Sequence, residues 1–446
     1  MLKIHTVGGY SEVGKNMTVL EVDDDAFIFD EGFFLPPIVE MDEKERNEYT
    51  YSEKTLKKLK AIPDDSFINN IRHKVRAQFI GHGHLDHVGA VPFISDKYNA
   101  PIYGTPYTIA VLESLLRDED ITLRNKRKTI QPNTSFFIKG KSYKYKVDFI
   151  NITHSTPQTS MIAIHTKKGV ILYANDFKLD DNPILGLKPN YKKLREIGKK
   201  GVYALIIDSL YSGTDRKTPS EKIARNLLEE VLLTTQNKNS GVIVTTFSSH
   251  IARLKSIIYF AKKMKREPVL LGRSLDKYTH AAKEAGIAPF LKGVNIARYR
   301  RQVEKVMRKI QKNKGRYLVV CTGHQGEPGS ILERVSRNQL PLKIEQDDNV
   351  VFSSSVIPTD INEENFSNME SNIKKKKARI FRDVHVSGHA GREDLRDLIG
   401  IVKPRIIIPA HGGHDKTEPM LELAKELGYK PGKRCYLMKD KSVLEL

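Results

Sequence analysis

The 446-residue chain contains no tryptophan and only two cysteines, Cys321 and Cys435. The cysteines have no CxxC spacing, which excludes a thiolate-rich structural zinc module and fits a reducing, cytoplasmic compartment. Long apolar runs are also missing. The opening MLKIHTVGGYSEVG reaches glycine too early for the apolar core of a signal peptide, and no run approaches the roughly 20 residues of a membrane span. No membrane partner is therefore expected. Acidic residues are in the minority: 74 Lys and Arg against 54 Asp and Glu leave a formal charge of +20. Such a field either aids solubility or concentrates a polyanionic partner, and charge alone does not choose.

The first 212 residues alternate short apolar runs with turn clusters. MTVLEV, AFIFD, RAQFIG, YKVDFINI, SMIAIHT, GVILYAND and VYALIID predict strands, with polar residues gathered just after their ends. The texture changes at 213. Thr218-Pro219-Ser220-Glu221 predicts a capping box with proline at the first helical position, and Ile223, Leu227, Leu228, Val231 and Leu232 predict the buried face of the helix that follows. Repeated units of buried strand, polar turn and helix then run to about 380, the rhythm of parallel α/β structure. The earlier style returns with HVSGHAGREDLRDLIGIVKPRIIIPAHGG, and RCYLMKDKSVLEL predicts a closing edge hairpin. The expected organisation is one domain, 1–212 plus 381–446, split by an α/β insert at 213–380.

Residues 82–87 read HxHxDH and follow a strand directly. His82 and His84 point the same way in extended chain, and a turn brings round Asp86 and His87, with Gly81 and Gly83 easing the tight backbone. His154, Asp176 and His411 each end an apolar strand, where open sheets place their sites. Together they complete two zinc shells. One takes His82, His84 and His154, the other Asp86, His87 and His411, and Asp176 bridges them. Asp30, ending AFIFD, is expected to accept an imidazole N–H and orient a ligand. Two zinc ions sharing a water imply hydrolysis, but not of what.

These motifs resemble, in order and character, the metal motifs of the metallo-β-lactamase superfamily. Asp208 in LIIDSLY, His389 in HVSGHAG and His411 resemble the added motifs of its β-CASP nuclease branch. VGGYSEVGKNM, NDFKLD, TTFSSHIARL, GRSL, CTGHQGEPGSILERV and VVFSSSVIP are similar to the RNase J family throughout. The chain ends soon after His411, so the resemblance is to the archaeal members, which lack the C-terminal domain of the bacterial ones. VIPTDINEENF departs from the family's IPGNE-type turn.

The resemblance implies an αββα sandwich interrupted by an α/β β-CASP insert, and a ribonuclease with two Zn2+ per subunit. It implies 5′-to-3′ exonucleolytic hydrolysis of single-stranded RNA carrying a 5′-monophosphate, threaded between the two domains, and allows a homodimer. Asp176, Asp208 and His389 would be the catalytic residues, with His389 serving the leaving 3′-oxygen and Asp208 orienting it. Ser248, Ser249, His385, Ser387 and Gly388 would hold the 5′-phosphate. The rivals are an endoribonuclease of the same branch, another metallo-hydrolase, and an inactive RNA-binding scaffold. GHQGEPG lacks the Walker lysine, so an NTPase is a poor reading.

Overall fold

The structure is a computed structural model that describes residues 1–40, 51–237, 239–357 and 360–446, so Pro358 and Thr359 of the altered turn lie outside the described residues. Strands are numbered in chain order. The first sheet holds β1 (Leu2–Gly8), β2 (Met17–Val22), β3 (Asp25–Phe29), β4 (Val75–Phe79), β5 (Ile102–Gly104), β6 (Arg127–Thr129) and β19 (Ser442–Glu445), in the order β19-β1-β2-β3-β4-β5-β6. The second holds β7 (Ser135–Lys139), β8 (Lys144–Asn151), β9 (Ser160–Thr166), β10 (Gly169–Ala174), β11 (Val202–Asp208) and β18 (Ile406–Ala410), in the order β18-β11-β10-β9-β8-β7.

Alternation along these strands builds four layers. Phe27, Phe29 and Phe79 of the first sheet meet Val147, Phe149, Ile162 and Tyr173 of the second in one fully buried core. The outer face of the second sheet packs Leu172 and Leu205 against Leu194, Leu395, Leu398 and Leu423, which come from helices Tyr191–Lys200, Arg392–Val402 and Pro419–Glu426. Val19 and Ile28 on the outer face of the first sheet meet Leu56, Ile71 and Ile94. Two sheets enclosed by helices are the αββα sandwich.

The insert is a separate compact unit, Asn182–Gly186 with Pro219–Ser387. Its six strands are all parallel, in the order β14 (Asn295–Ala297), β13 (Glu267–Leu271), β15 (Tyr317–Cys321), β12 (Val242–Thr245), β16 (Asn349–Phe352) and β17 (Arg379–Phe381). The chain leaves the first unit after Thr218, not after 212, and returns at Gly388, not at 381. Hydrogen bonds explain both shifts. Thr218 donates its N–H to Asp394 and its hydroxyl to the His389 carbonyl, which keeps 213–218 with the sandwich. Val384 accepts from Ser353 and Arg253, which keeps 382–387 with the insert.

Local expectations are corrected in three places. The cap of helix Glu221–Glu229 is Ser220, whose hydroxyl accepts from Lys222 N–H, because Thr218 is already engaged. Glu221 is not a capping partner but the buried counter-ion of Arg253, 2.6 Å away. The buried face of that helix carries Ala224 and Leu228, while Ile223 and Leu227 are exposed. Finally, the terminal segment is no hairpin: β19 pairs antiparallel with β1, and Cys435 bridges Ile407. Among the described residues no helix is long and apolar enough to cross a membrane.

Candidate metal centre

The site grows from strand ends of the two stacked sheets. β4 ends at Phe79, and the next residues lead through His82 into a short helix, Leu85–Val88, that begins after His84. Asp86 and His87 therefore lie on its first turn. Asp30, Asp176 and His411 follow β3, β10 and β18, and all three adopt left-handed backbone, with φ of 59°, 55° and 63°. Such conformations are uncommon outside glycine, and three of them at one site turn side chains off the strand axis toward a common point.

Three groups of metal-capable donors result among the described residues. His82, His84, His154 and Asp176 converge, as do Asp86, His87, Asp176 and His411, and Asp208 and His389 join the same Asp176, which is common to all three. His84 Nδ1 lies 3.1 Å from His82 Nε2 and 3.2 Å from His154 Nε2. A tetrahedral ion with bonds of 2.0–2.1 Å needs an edge of about 3.3 Å, so this spacing suits a cation between the rings. Both oxygens of the fully buried Asp176 lack a hydrogen-bond partner. Orphaned buried acceptors beside imidazoles are what a metal would satisfy, and the donor set fits zinc.

The outer contacts fix which nitrogen faces inward. His154 Nδ1 donates to the Gly388 carbonyl at 2.7 Å, and His87 Nδ1 donates to Asp30 at 2.7 Å. Each leaves an Nε2 lone pair for the cluster. Asp30 also accepts from Tyr173 Oη at 2.7 Å and from Gly81 N–H, so it is a fixed anchor. His389 Nδ1 donates to Asp208 at 2.9 Å, with Asp208 held in turn by Leu210 N–H. His389 Nε2 is left 4.0 Å from Asp176.

Burial sets the charge states. It pushes the His82 and His154 imidazoles well below their ordinary range and His84 down to about 4, the neutral form that a metal requires. Burial opposes ionisation of Asp176, but the imidazoles of His411 and His87 hold its carboxyl well below the usual range. Burial also opposes charge on His87, but Asp176, Asp86 and Asp30 outweigh it and raise its pKa well above normal. These carboxylates demand positive charge at His87 Nε2, whether proton or metal. On His389, burial is outweighed by Asp208 and Asp176, which raise it to about 9.

Sequence reasoning missed two residues of this site. Asn16 places its amide N–H group 3.0 Å from the Asp86 carbonyl, 3.2 Å from His87 Nε2 and 2.9 Å from His411 Nδ1, while its oxygen accepts from Asn175. Gly32 is the glycine the backbone needs: a Cβ there would lie 1.6 Å from the Asp86 carbonyl oxygen. Gly81, by contrast, has ordinary space, and Gly83 is crowded by Tyr107 and Val111. A lone Asn or Gly carries no pattern that sets it apart from turn residues.

The five residues expected at a 5′-phosphate pocket fall in different units. Gly388 belongs to the first, packed on Ser155, with its carbonyl committed to His154. Ser248, Ser249, His385 and Ser387 belong to the insert. Ser248 and Ser249 lie in the turn after β12, but the cap of helix Ile251–Lys263 is His250, which accepts from Arg253 N–H.

Residues 239–372 match the family described as "Ribonuclease J, beta-CASP domain", and residues 374–438 match "Zn-dependent metallo-hydrolase RNA specificity domain". Similar sequences include Ribonuclease J of Pyrococcus abyssi, 41% identical over 100% of this chain and 97% of its own. Ribonuclease J of Methanocaldococcus jannaschii is 40% identical over 98% of this chain and 97% of its own. Ribonuclease J of Helicobacter pylori is 30% identical over all of this chain and 61% of its own. A crystal structure of a protein of unknown function from Enterococcus faecalis V583 covers both chains fully with a TM-score of 0.65 at 16% identity, a likeness of fold alone.

Proposed function

The chain belongs to the ribonuclease J family, and from that premise we propose that it hydrolyses RNA phosphodiester bonds with two zinc ions, mainly as a 5′-to-3′ exoribonuclease preferring 5′-monophosphate ends. Its sandwich and parallel insert are the metallo-β-lactamase fold with a β-CASP insert. The observation that carries the reading is a pair of ligand groups sharing Asp176, with the Asp208–His389 pair beside it.

His82, His84 and His154 would hold one ion and Asp86, His87 and His411 the other, with Asp176 common to both. Bound zinc supplies a water acidified toward neutrality and positive charge for the phosphate oxygens. The chain's own residues do the rest. Asp30 and the Gly388 carbonyl orient His87 and His154. His389, whose imidazole Asp208 holds above its ordinary value against burial, would donate from Nε2 to the leaving 3′-oxygen, and Asp208 holds the ring in that orientation. Ser248, Ser249, His385 and Ser387 remain the proposed binders of the 5′-phosphate.

Purified protein offered linear 5′-monophosphate, linear 5′-triphosphate and circular RNA separates the readings. Mononucleotides released from the monophosphorylated substrate, with the circle intact, are expected. Cleavage of the circle would make the protein an endonuclease instead. RNA binding without cleavage, unaltered by Asp86→Ala, would leave an inactive scaffold. Replacing Ser387 with Ala should narrow the preference for monophosphate over triphosphate ends, and an unchanged ratio would remove it from the pocket.

A further inference from the structure

Far from the metal centre, the helical layer over the outer face of the second sheet stops short of its β7 edge among the described residues. The helical layer lies over Met161, Ala163, Val170 and Leu172 of β9 and β10, where the outward side chains are apolar. Toward β7 the outward positions change character. Register pairs Phe137 with Lys146 and Lys139 with Lys144, while Ile138, Tyr145 and Val147 point into the core. The result is a basic, aromatic row on an open sheet face.

Phe137 is 57% exposed, unusual for a side chain that core packing could have used. Lys144 Nζ sits 4.7 Å from its ring centroid, and Lys167, on the β9–β10 turn, lies 5.6 Å from the ring of half-buried Tyr143. Some charges here are neutralised: Lys146 faces Asp148, Lys141 faces Asp24, and Asp23 holds the N-terminus. Lys139, Lys144 and Lys167 form no ion pair among the described residues and are all exposed.

We propose that this face, centred on Phe137, Lys139, Lys144 and Lys167, is a second binding surface for single-stranded RNA, remote from the metal centre. Unpaired lysines supply sequence-independent attraction for phosphates, and an exposed ring gives any base a stacking platform. The combination favours a nucleic-acid strand over an acidic protein, which needs no projecting ring, and the vesicle arm of the test separates it from a lipid surface. Strand β8 starts at Lys144 and His154 follows its far end, so the surface lies about 30 Å from the metal ligands at about 3.3 Å per residue. It would engage long substrates, holding a distal stretch of the strand whose end is being processed. The inference rests on the proposed ribonuclease reading for its biological sense but not for its test.

The test measures binding of a 2′-O-methyl single-stranded RNA of about 30 nucleotides, which reports affinity without cleavage. For the triple variant Lys139→Gln, Lys144→Gln, Lys167→Gln, affinity should fall tenfold or more, and the slope of log K against log salt should shrink by about 2. Phe137→Ala should weaken binding about tenfold with the slope unchanged, since stacking releases no counterions. Metal content and thermal midpoint, expected to match the wild type, confirm that the variants fold. Wild-type affinity and slope in both variants would overturn the proposal, even if the enzyme cleaves RNA normally. Lysine-dependent binding by a protein that cleaves no RNA would support the surface and sink only the hydrolytic reading. Loss of binding to phosphatidylserine vesicles with RNA affinity intact would assign the face to lipid and overturn it.

Discussion

His389 is the side chain whose role most needs separating from metal binding, because with Asp176 and Asp208 it forms a third group of metal-capable donors beside the two that share Asp176. His389→Ala should lower turnover about 10²- to 10⁴-fold, with zinc content by elemental analysis unchanged. Loss of zinc would mean that the ring is a ligand. The pKa of His389 is raised, so its acid form is present below about 9 and is lost as pH rises through that value. Turnover should fall along an alkaline limb, and Asp208→Asn should move that limb to lower pH, toward the ordinary imidazole value. A limb that stays put would detach His389 from Asp208. Glu31 offers a stability test. Burial raises its carboxyl to about 8, with Ser95 only partly offsetting this. The neutral acid suits the fold, so its stabilisation is complete below the unfolded value near 4.5 and is lost as pH rises from there through about 8. Glu31→Gln should therefore raise the thermal midpoint increasingly from pH 6 to pH 9. A gain independent of pH would contradict the neutral carboxyl. At this scale the ligands are legible because their chemistry lies in the residue type, whereas Asn16 acts through side-chain partners 70 to 395 residues away.

Elements place these side chains by close backbone approach. The segment after β3 lies against the short ligand helix, with Glu31 N–H on the His87 carbonyl and Phe33 N–H on the Leu85 carbonyl. Gly32 makes that approach possible, so Gly32→Ala should cost at least about 3 kcal/mol and weaken metal affinity together with stability. Normal zinc retention in a folded variant would show that the segment can shift. In the insert, Arg253 is fully buried and joins Glu221, Ser353 and the Val384 carbonyl. Arg253→Met should destabilise the protein by about 3–5 kcal/mol in urea unfolding, because it removes the bidentate partner of buried Glu221 and leaves only His250 Nε2, 3.4 Å away. A loss under 1 kcal/mol would mean that water relieves the Glu221 charge. Strand runs could be read from alternation, but the helix beginning at Glu221 was misassigned by its cap. Capping boxes are local patterns, and the tertiary bonds of Thr218 to Asp394 and His389 override this one.

For the whole molecule, metal and fold should be linked. The ligands come from residues 82 to 411, all within the sandwich unit. Chelation should lower the thermal midpoint of that unit by the free energy of lost binding. The insert has its own core around Val319, Val350 and Leu332, so its transition should not move. A parallel shift of every transition would show that the two units unfold as one. What the sequence by itself determined was the chemistry and the class: HxHxDH, the strand-end His and Asp residues, and the α/β rhythm of the insert are local patterns. Only the tertiary structure decided the rest. Left-handed turns at Asp30, Asp176 and His411 aim the ligands, Asp208 meets His389 across 181 residues, and Phe137 is left facing water. Each depends on which strands become neighbours. That is a property of packing between distant segments, and no short stretch of chain contains it.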